Sequence, residues 1–246
     1  MVVLYGSIGH LRAIYIHHCT MLIRSEGLMN CFPTVSNGKV DIKSLDLSGL
    51  RRFLEHIGEP QDKALRIYQA LWQKDLRSFH DLDTIPKSTR AKLEECAEIY
   101  FLDSIAVLPA SDGCKKFLWR VPSGGAIESV LIPDENRGDE LSDRMTLCVS
   151  SQWGCAMKCS FCLTGDLGLK SQLSAAQIAC QIQQVSQTLP EGKRITNIVM
   201  MGMGEPLHNY DNLTTALRTM LHDFALCLSH RKITVSTVGL VPANNV

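Results

Sequence analysis

The spacing of apolar positions changes twice along the chain. Residues 1 to about 40 keep neither a helical nor a strand period, and Pro33 to Gly38 has turn chemistry, so residues 1–42 read as an extension of undefined structure. From 43 to 100 the spacing is helical. Leu50, Phe53, Leu54 and Ile57 share one face, with Ser48 placed as N-cap and Gly58 as C-terminal stop. A second helix begins at Pro60 and sets Leu65, Tyr68, Leu71 and Trp72 together; a third follows Pro86 and carries Ala91, Leu93 and Ala97. These predict a small helical module.

Between 101 and 144 the period shortens. Lys116 to Val121 and Glu128 to Ile132 are β-type runs around Pro122 to Gly125, which predicts a hairpin. From 145 to 246 strands and helices alternate. Strands are expected at Thr146 to Ser151, Ile195 to Met201 and Lys232 to Val238. A helix over Ser174 to Leu189 carries Ile178, Ile182, Val185 and Leu189 in a stripe, and Ser174 with Gln177 makes a capping box. The next helix, capped by Asp211, presents Leu213, Leu217, Met220 and Leu221. Alternation of this kind predicts an α/β fold with a parallel sheet.

Composition narrows the setting. With Lys plus Arg at 25 and Asp plus Glu at 25 the net charge is zero, which excludes a whole-chain electrostatic grip on nucleic acid; any RNA contact is local. Ten cysteines are too few for a disulfide scaffold, which takes roughly 8–10% of residues, and indicate a reducing, cytoplasmic setting. The apolar amino-terminal stretch has no basic start and is broken by His10, Arg12, His17 and His18. It fits neither a signal peptide nor a membrane span.

The chemistry concentrates in Cys155, Cys159 and Cys162, a C-x3-C-x2-C triplet just beyond a predicted strand. Thiolates suit zinc or iron-sulfur centres, and this spacing lets one loop wrap a single centre. A structural zinc site takes four ligands, usually from two paired knuckles, and no second knuckle is present unless Cys148 is borrowed. Three thiolates on a four-iron cluster leave one iron open to a small molecule. The second segment is Met201 to Pro206 (MGMGEP), after a predicted strand. Gly202 and Gly204 allow close backbone approach there or a tight turn, and Glu205 is placed to bind an ammonium or a hydroxyl.

The triplet, with Phe161 before its last cysteine, resembles the radical S-adenosylmethionine enzymes. Leu147 to Gly154, Ile195 to Leu207, Ser229 to Thr237 and Ser111 to Gly113 together resemble, more narrowly, the dual-specificity adenine-C2 methyltransferases of 23S rRNA and tRNA. The relatives that methylate adenine C8 share the layout. The resemblance runs from about residue 43 to the end. It implies a partial radical-SAM (βα) barrel of about three βα units, behind an accessory RNA-binding domain and the hairpin.

For the site, the resemblance implies that Cys155, Cys159 and Cys162 hold a 4Fe-4S cluster and that Gly204, Glu205 and Ser236 contact S-adenosyl-L-methionine. Cys148 matches the cysteine that resolves a covalent protein-RNA adduct by forming a disulfide, and Glu128 the acceptor of the adenine C2 proton. From the residues alone, Cys148 reads as core and Glu128 as a strand-end acid. Cys96, Cys180 and Cys227 read as small packing residues, and Cys19, Cys31 and Cys114 receive no role. Lys115, Lys116, Arg120, Arg231 and Lys232 are candidates for local phosphate contacts. The partners implied are 23S rRNA, tRNA and a flavodoxin-type electron donor, with no membrane and a monomeric chain.

The family's methyl-carrying cysteine, near its carboxyl terminus, matches none of the ten here. A closed barrel needs about 250 residues, so the expectation is a C-terminally incomplete chain with the edge of its third strand exposed. A noncatalytic RNA-binding remnant and a zinc-stabilised structural protein are the competing readings.

Overall fold

The computed structural model describes residues 32–133 and 144–240, together with the backbone of 2–4. Its strands are β1 (Val2–Leu4), β2 (Val40–Asp41), β3 (Ala97–Glu98), β4 (Asp103–Pro109), β5 (Lys115–Val121), β6 (Gly125–Pro133), β7 (Met145–Cys148), β8 (Gln152–Trp153), β9 (Ser171–Gln172), β10 (Asn197–Met200) and β11 (Ile233–Thr237). Helices are α1 (Leu47–His56), α2 (Ala64–Gln73), α3 (Lys87–Cys96), α4 (Leu163–Asp166), α5 (Ala175–Ser186) and α6 (Tyr210–Leu221). Seven strands form one sheet in the order β1-β11-β10-β7-β6-β5-β4. Within it β7, β10 and β11 are parallel, and β4, β5 and β6 form an antiparallel meander joined to β7.

The expected α/β pattern and parallel core are present, and so is the capping box of α5: Ser174 accepts from the Gln177 N–H while the Gln177 side chain accepts from the Ser174 N–H. Several local expectations are corrected. Asp46, not Ser48, caps α1, its carboxylate accepting the Gly49 N–H at 2.7 Å; an aspartate one residue before the helix has the extended backbone that a cap requires. The buried face of α2 runs through Ala64, Ile67, Tyr68 and Leu71, leaving Leu65 half-buried. In α3 Ala91 is exposed while Thr89 and Leu93 are covered. Asp211 lies inside the first turn of α6, because Pro206–Asn209 starts a 3-10 turn before it.

The expected hairpin is two strands of a three-stranded meander. Ser111 to Gly113 form the turn between β4 and β5, with Gly113 at a φ of 82°. The outer edge of β11 is not free either, since Val2–Leu4 pairs along it antiparallel with Val3 opposite Ser236. Cys19 and Cys31 lie outside the described residues, as does most of the 1–42 segment. Packing of the helical module begins before residue 43: Val40 and Ile42 are buried, and Phe32 meets Phe53 edge to face at 5.5 Å. Cys180 packs in the core as expected, but Cys227 is exposed, at a positive φ of 52° in the turn after α6.

The module does not stand apart. Its buried side chains and those of the sheet and its helices belong to one continuous core. Polar contacts fasten it to the outside of α5 and α6: Ser44 accepts the Ala176 N–H, the Lys43 ammonium donates to Gln183 at 2.8 Å, and the Tyr68 hydroxyl donates to Thr219 at 2.9 Å. No helix among the described residues is long and apolar enough to cross a membrane.

Within the module, Glu59 ties three helical segments. Its buried carboxylate takes Lys63 at 2.6 Å, Lys92 at 2.7 Å and the Thr89 hydroxyl at 2.7 Å. The Lys63, Lys92 and Thr89 hydrogen bonds hold its pKa down at about 2, from 4.5. A carboxylate depressed on folding contributes stability that is complete above its unfolded pKa and fades as pH falls through the folded value. Urea unfolding at a series of pH values will therefore show stability lost between about pH 4.5 and 2, and Glu59→Gln will flatten that part of the profile.

Candidate functional site

The three thiols lie on the loop that leaves the carboxyl end of β7. Pairing of β8 with β9 closes its base, with the Lys170 N–H donating to Trp153 O at 2.9 Å and the Cys155 N–H to Gly168 O at 3.2 Å. Gly154 is required there: its φ is 75°, and a Cβ would run into the Gly168 carbonyl. Lys158, at a φ of 48°, reverses the chain between Cys155 and Cys159, and the Cys162 N–H donates to Cys159 O. Cys155 is buried and its Sγ accepts the Met157 N–H at 3.5 Å; Cys159 and Cys162 are half-exposed. Phe161 and Leu163 beside them are 84% and 85% exposed.

A tetrahedral zinc site holds its sulfurs about 3.8 Å apart, and no three His, Cys, Asp or Glu side chains among the described residues converge on one ion. A four-iron cubane spreads its ligands more widely. The fit of a cluster is carried by the donor set, three reduced thiols on one closed loop, with one sulfur already receiving a backbone N–H of the kind that steadies a thiolate.

Strand register brings the other predicted residues to one face. Cys148 stands opposite Val130 on β6 and Val199 on β10, and Val199 opposite Thr234 on β11. Side chains alternate along a strand, so Glu128 and Ser236 share that face with Cys148; the opposite face, through Phe117, Trp119, Ile127 and Leu147, is buried. Lys116, on the same side as Glu128, pairs with it at 3.2 Å, and Arg120 pairs with Asp103 at 3.0 Å. Two of the five candidate phosphate contacts are thus engaged within the chain. Burial pushes the Cys148 thiol above its ordinary range, opposed by a hydrogen bond with the Met201 backbone.

The Met201–Pro206 turn packs against the loop after β7. Gly204 has a φ of 102°, and a Cβ there would stand 2.5 Å from the Gln152 side chain. The close approach allowed by this glycine is therefore made, at least in part, to the chain's own loop. Glu205 is 3% exposed. Its carboxylate accepts the Leu207 N–H at 3.0 Å, the Thr237 hydroxyl at 2.6 Å and the Val238 N–H at 3.0 Å. A carboxylate has about four acceptor positions, so one is left over.

Gln152, Asn209 and Thr237 were not singled out in the sequence. Gln152 accepts the Glu205 N–H at 2.7 Å, and Asn209 donates to the carbonyls of Ser151 and Leu173. The one available signal was polar residues next to both motifs. The buried Ser151 hydroxyl has no hydrogen-bond partner among the described residues.

The family model of the ribosomal RNA large subunit methyltransferase N-terminal domain matches residues 40–99. The dual-specificity RNA methyltransferase RlmN of Pelobacter propionicus is 45% identical over 204 residues, 83% of this chain and 56% of the relative. The RlmN of Geobacter sulfurreducens is 46% identical over 203 residues, 82% of this chain and 53% of the relative. Over these residues the chain belongs to the RlmN family. It spans about half the length of the curated RlmN relatives it matches. A crystal structure of a radical SAM methyltransferase from Sphaerobacter thermophilus superposes with a TM-score of 0.70 at 34% identity, covering 81% of this chain and 57% of that one. A match over 83% of the chain takes in the thiol loop as well as the helical module.

Two outcomes follow from the geometry. Gly125 lies under the Trp153 indole, where a Cβ would enter the ring. Overpacking of this kind costs about 1–3 kcal/mol, so Gly125→Ala will lower the unfolding temperature and speed amide exchange at Cys155 and Lys170. For Cys148, the raised thiol pKa means that alkylation by iodoacetamide, followed by peptide mass spectrometry, is slower near neutral pH than at exposed Cys227. Its rate will still be climbing past pH 9, the ordinary thiol value.

Proposed function

We propose that the chain carries the cluster and cofactor sites of a radical S-adenosylmethionine RNA methyltransferase acting at C2 of adenosine in 23S rRNA and tRNA. The observation that supports this most is the convergence of two sets of groups. Three free thiols on one closed loop lie beside a buried carboxylate with an acceptor position left, and Cys148 and Glu128 share the adjoining face of the sheet. When bound, a 4Fe-4S cluster with S-adenosyl-L-methionine supplies one-electron chemistry, which an electron-poor aromatic carbon accepts and a polar methyl transfer cannot use.

The chain's own residues divide the remaining work. Cys155, Cys159 and Cys162 hold the cluster. Glu205 offers its remaining acceptor position to the methionine ammonium, Gly204 brings backbone close to it, and Ser236 contacts the cofactor from β11. Glu128, kept beside the Lys116 ammonium, takes the proton that C2 loses. Cys148, protonated at neutral pH because it is buried, gives up its proton and bonds to the sulfur of the adduct-bearing cysteine, which is none of the ten here, so that the sulfur-carbon bond to the RNA breaks as the disulfide forms. The open half of the sheet face receives the RNA base, while the helical module, fastened behind α5 and α6, buttresses the helices.

Anaerobic reconstitution with iron and sulfide tests the reading. About four irons per chain with the absorbance of a cubane, and release of 5′-deoxyadenosine from S-adenosylmethionine on reduction, are the expected results. Cys159→Ala will lose both. Zinc bound at about one per chain after aerobic purification, with no cluster formed anaerobically, would sink the proposal.

A further inference from the structure

Ser150 follows Cys148 by two residues and is fully buried. Its hydroxyl makes two bonds at once, donating to the Glu128 carbonyl at 2.6 Å and accepting the Met203 N–H at 2.9 Å. Its backbone is held by a single side chain. Gln181 of α5 accepts the Ser150 N–H at 2.9 Å and donates to the Ser150 carbonyl at 2.9 Å. The same amide accepts the Ser129 hydroxyl at 2.8 Å and donates to Gln177 O at 3.1 Å, so all four of its positions are filled and it cannot turn without breaking buried bonds.

The place of this contact in the sheet is informative. The ladder between β6 and β7 ends with Val130 opposite Cys148. Two residues further on, the same register would set Glu128 opposite Ser150, and there the serine hydroxyl takes over from the ladder. Gly202 leaves no slack on the other side: a Cβ on it would stand 2.7 Å from the Ser150 hydroxyl and 2.8 Å from the Val149 carbonyl.

We infer that Ser150, held by Gln181, is a positioning residue that fixes the Met203–Glu205 turn relative to Cys148 and Glu128. The role rests on the proposed function, in that the turn is taken as the cofactor site. One short hydroxyl thereby links three backbones: the strand of the proton acceptor, the strand of the resolving thiol and the turn that meets S-adenosylmethionine. Removing it leaves the Glu128 carbonyl and the Met203 N–H without this partner in a buried setting, and the turn relaxes away from β7 to recover one.

The test compares the full chain with Ser150→Ala after anaerobic reconstitution, measuring 5′-deoxyadenosine release against S-adenosylmethionine concentration. Ser150→Ala will raise the half-saturating concentration about tenfold at unchanged iron per chain. Trp119→Phe is the control: it removes the bond from the indole to the Ser129 hydroxyl, one step further back in the same buried network. It will lower the unfolding temperature without moving half-saturation, because lost stability reduces the active fraction and not the affinity of what remains. Should Ser150→Ala not fold, Ser150→Cys, with its weaker hydrogen bonds, takes its place and is expected to give an intermediate rise. Saturable release by the unaltered chain with half-saturation unmoved in the serine variant overturns this role alone. An unaltered chain that takes up four irons yet shows no saturable release overturns the proposed function, and this role with it.

Discussion

The loops at the carboxyl ends of β7, β10 and β11 approach one another so closely that their backbone groups leave water, and each such group has to find a partner inside the chain. Everything at the candidate site follows from how that requirement is met. Four side chains meet most of it: Gln181 for Ser150, Gln152 for the Glu205 N–H, Asn209 for the Ser151 and Leu173 carbonyls, and Glu205 for the N–H groups of Leu207 and Val238. Amides and carboxylates suit the task, since a single planar group serves two or more backbone sites. The approach itself is possible because Gly154, Gly202 and Gly204 stand where a Cβ would meet backbone or a neighbouring side chain.

That arrangement holds the base of the thiol loop through bonds within the chain. Hydrogen bonds across β8 and β9, and Trp153 lying over Gly125, fix the base of the thiol loop to the β5–β6 hairpin. The half-exposed Cys159 and Cys162, with the exposed Phe161 and Leu163, form the outer part.

Behind the sheet, the helical module adds a buried polar layer of its own. Lys43 is 1% exposed, bonds to Gln183 and sits 3.6 Å from the centre of the Phe101 ring, with the Arg77 guanidinium 4.2 Å from the same ring. Burial lowers the Lys43 pKa, partly offset by the nearby Cys180 and Asp75. Asp41 is buried beside it, and desolvation raises its pKa to about 6. Buried charge of this sort adds little net stability, but it penalises every arrangement in which the partners separate. It therefore ties the module to α5, the helix from which Gln181 reaches Ser150.

The spacing of Cys155, Cys159 and Cys162, the apolar stripes of α1 and α5, the α5 capping box and the strand-helix alternation were legible in the sequence, because each is a local pattern that chain geometry alone constrains. Strand β4 was not, since it is exposed along nearly its whole length and carries no alternation to read. Nor was the N-cap of α1: Asp46 and Ser48 are both competent caps, and only the folded backbone chooses between them. The pairing of Val2–Leu4 with β11 joins segments more than two hundred residues apart, beyond any local pattern. The sequence by itself determined which residues carry thiol and carboxylate chemistry. Tertiary structure alone decided that Glu205 is clamped by Thr237, that Glu128 lies beside Lys116, and that one serine hydroxyl joins the two motifs. Hydrogen bonds between distant segments depend on strand register and close backbone approach, and both exist only once the sheet has formed.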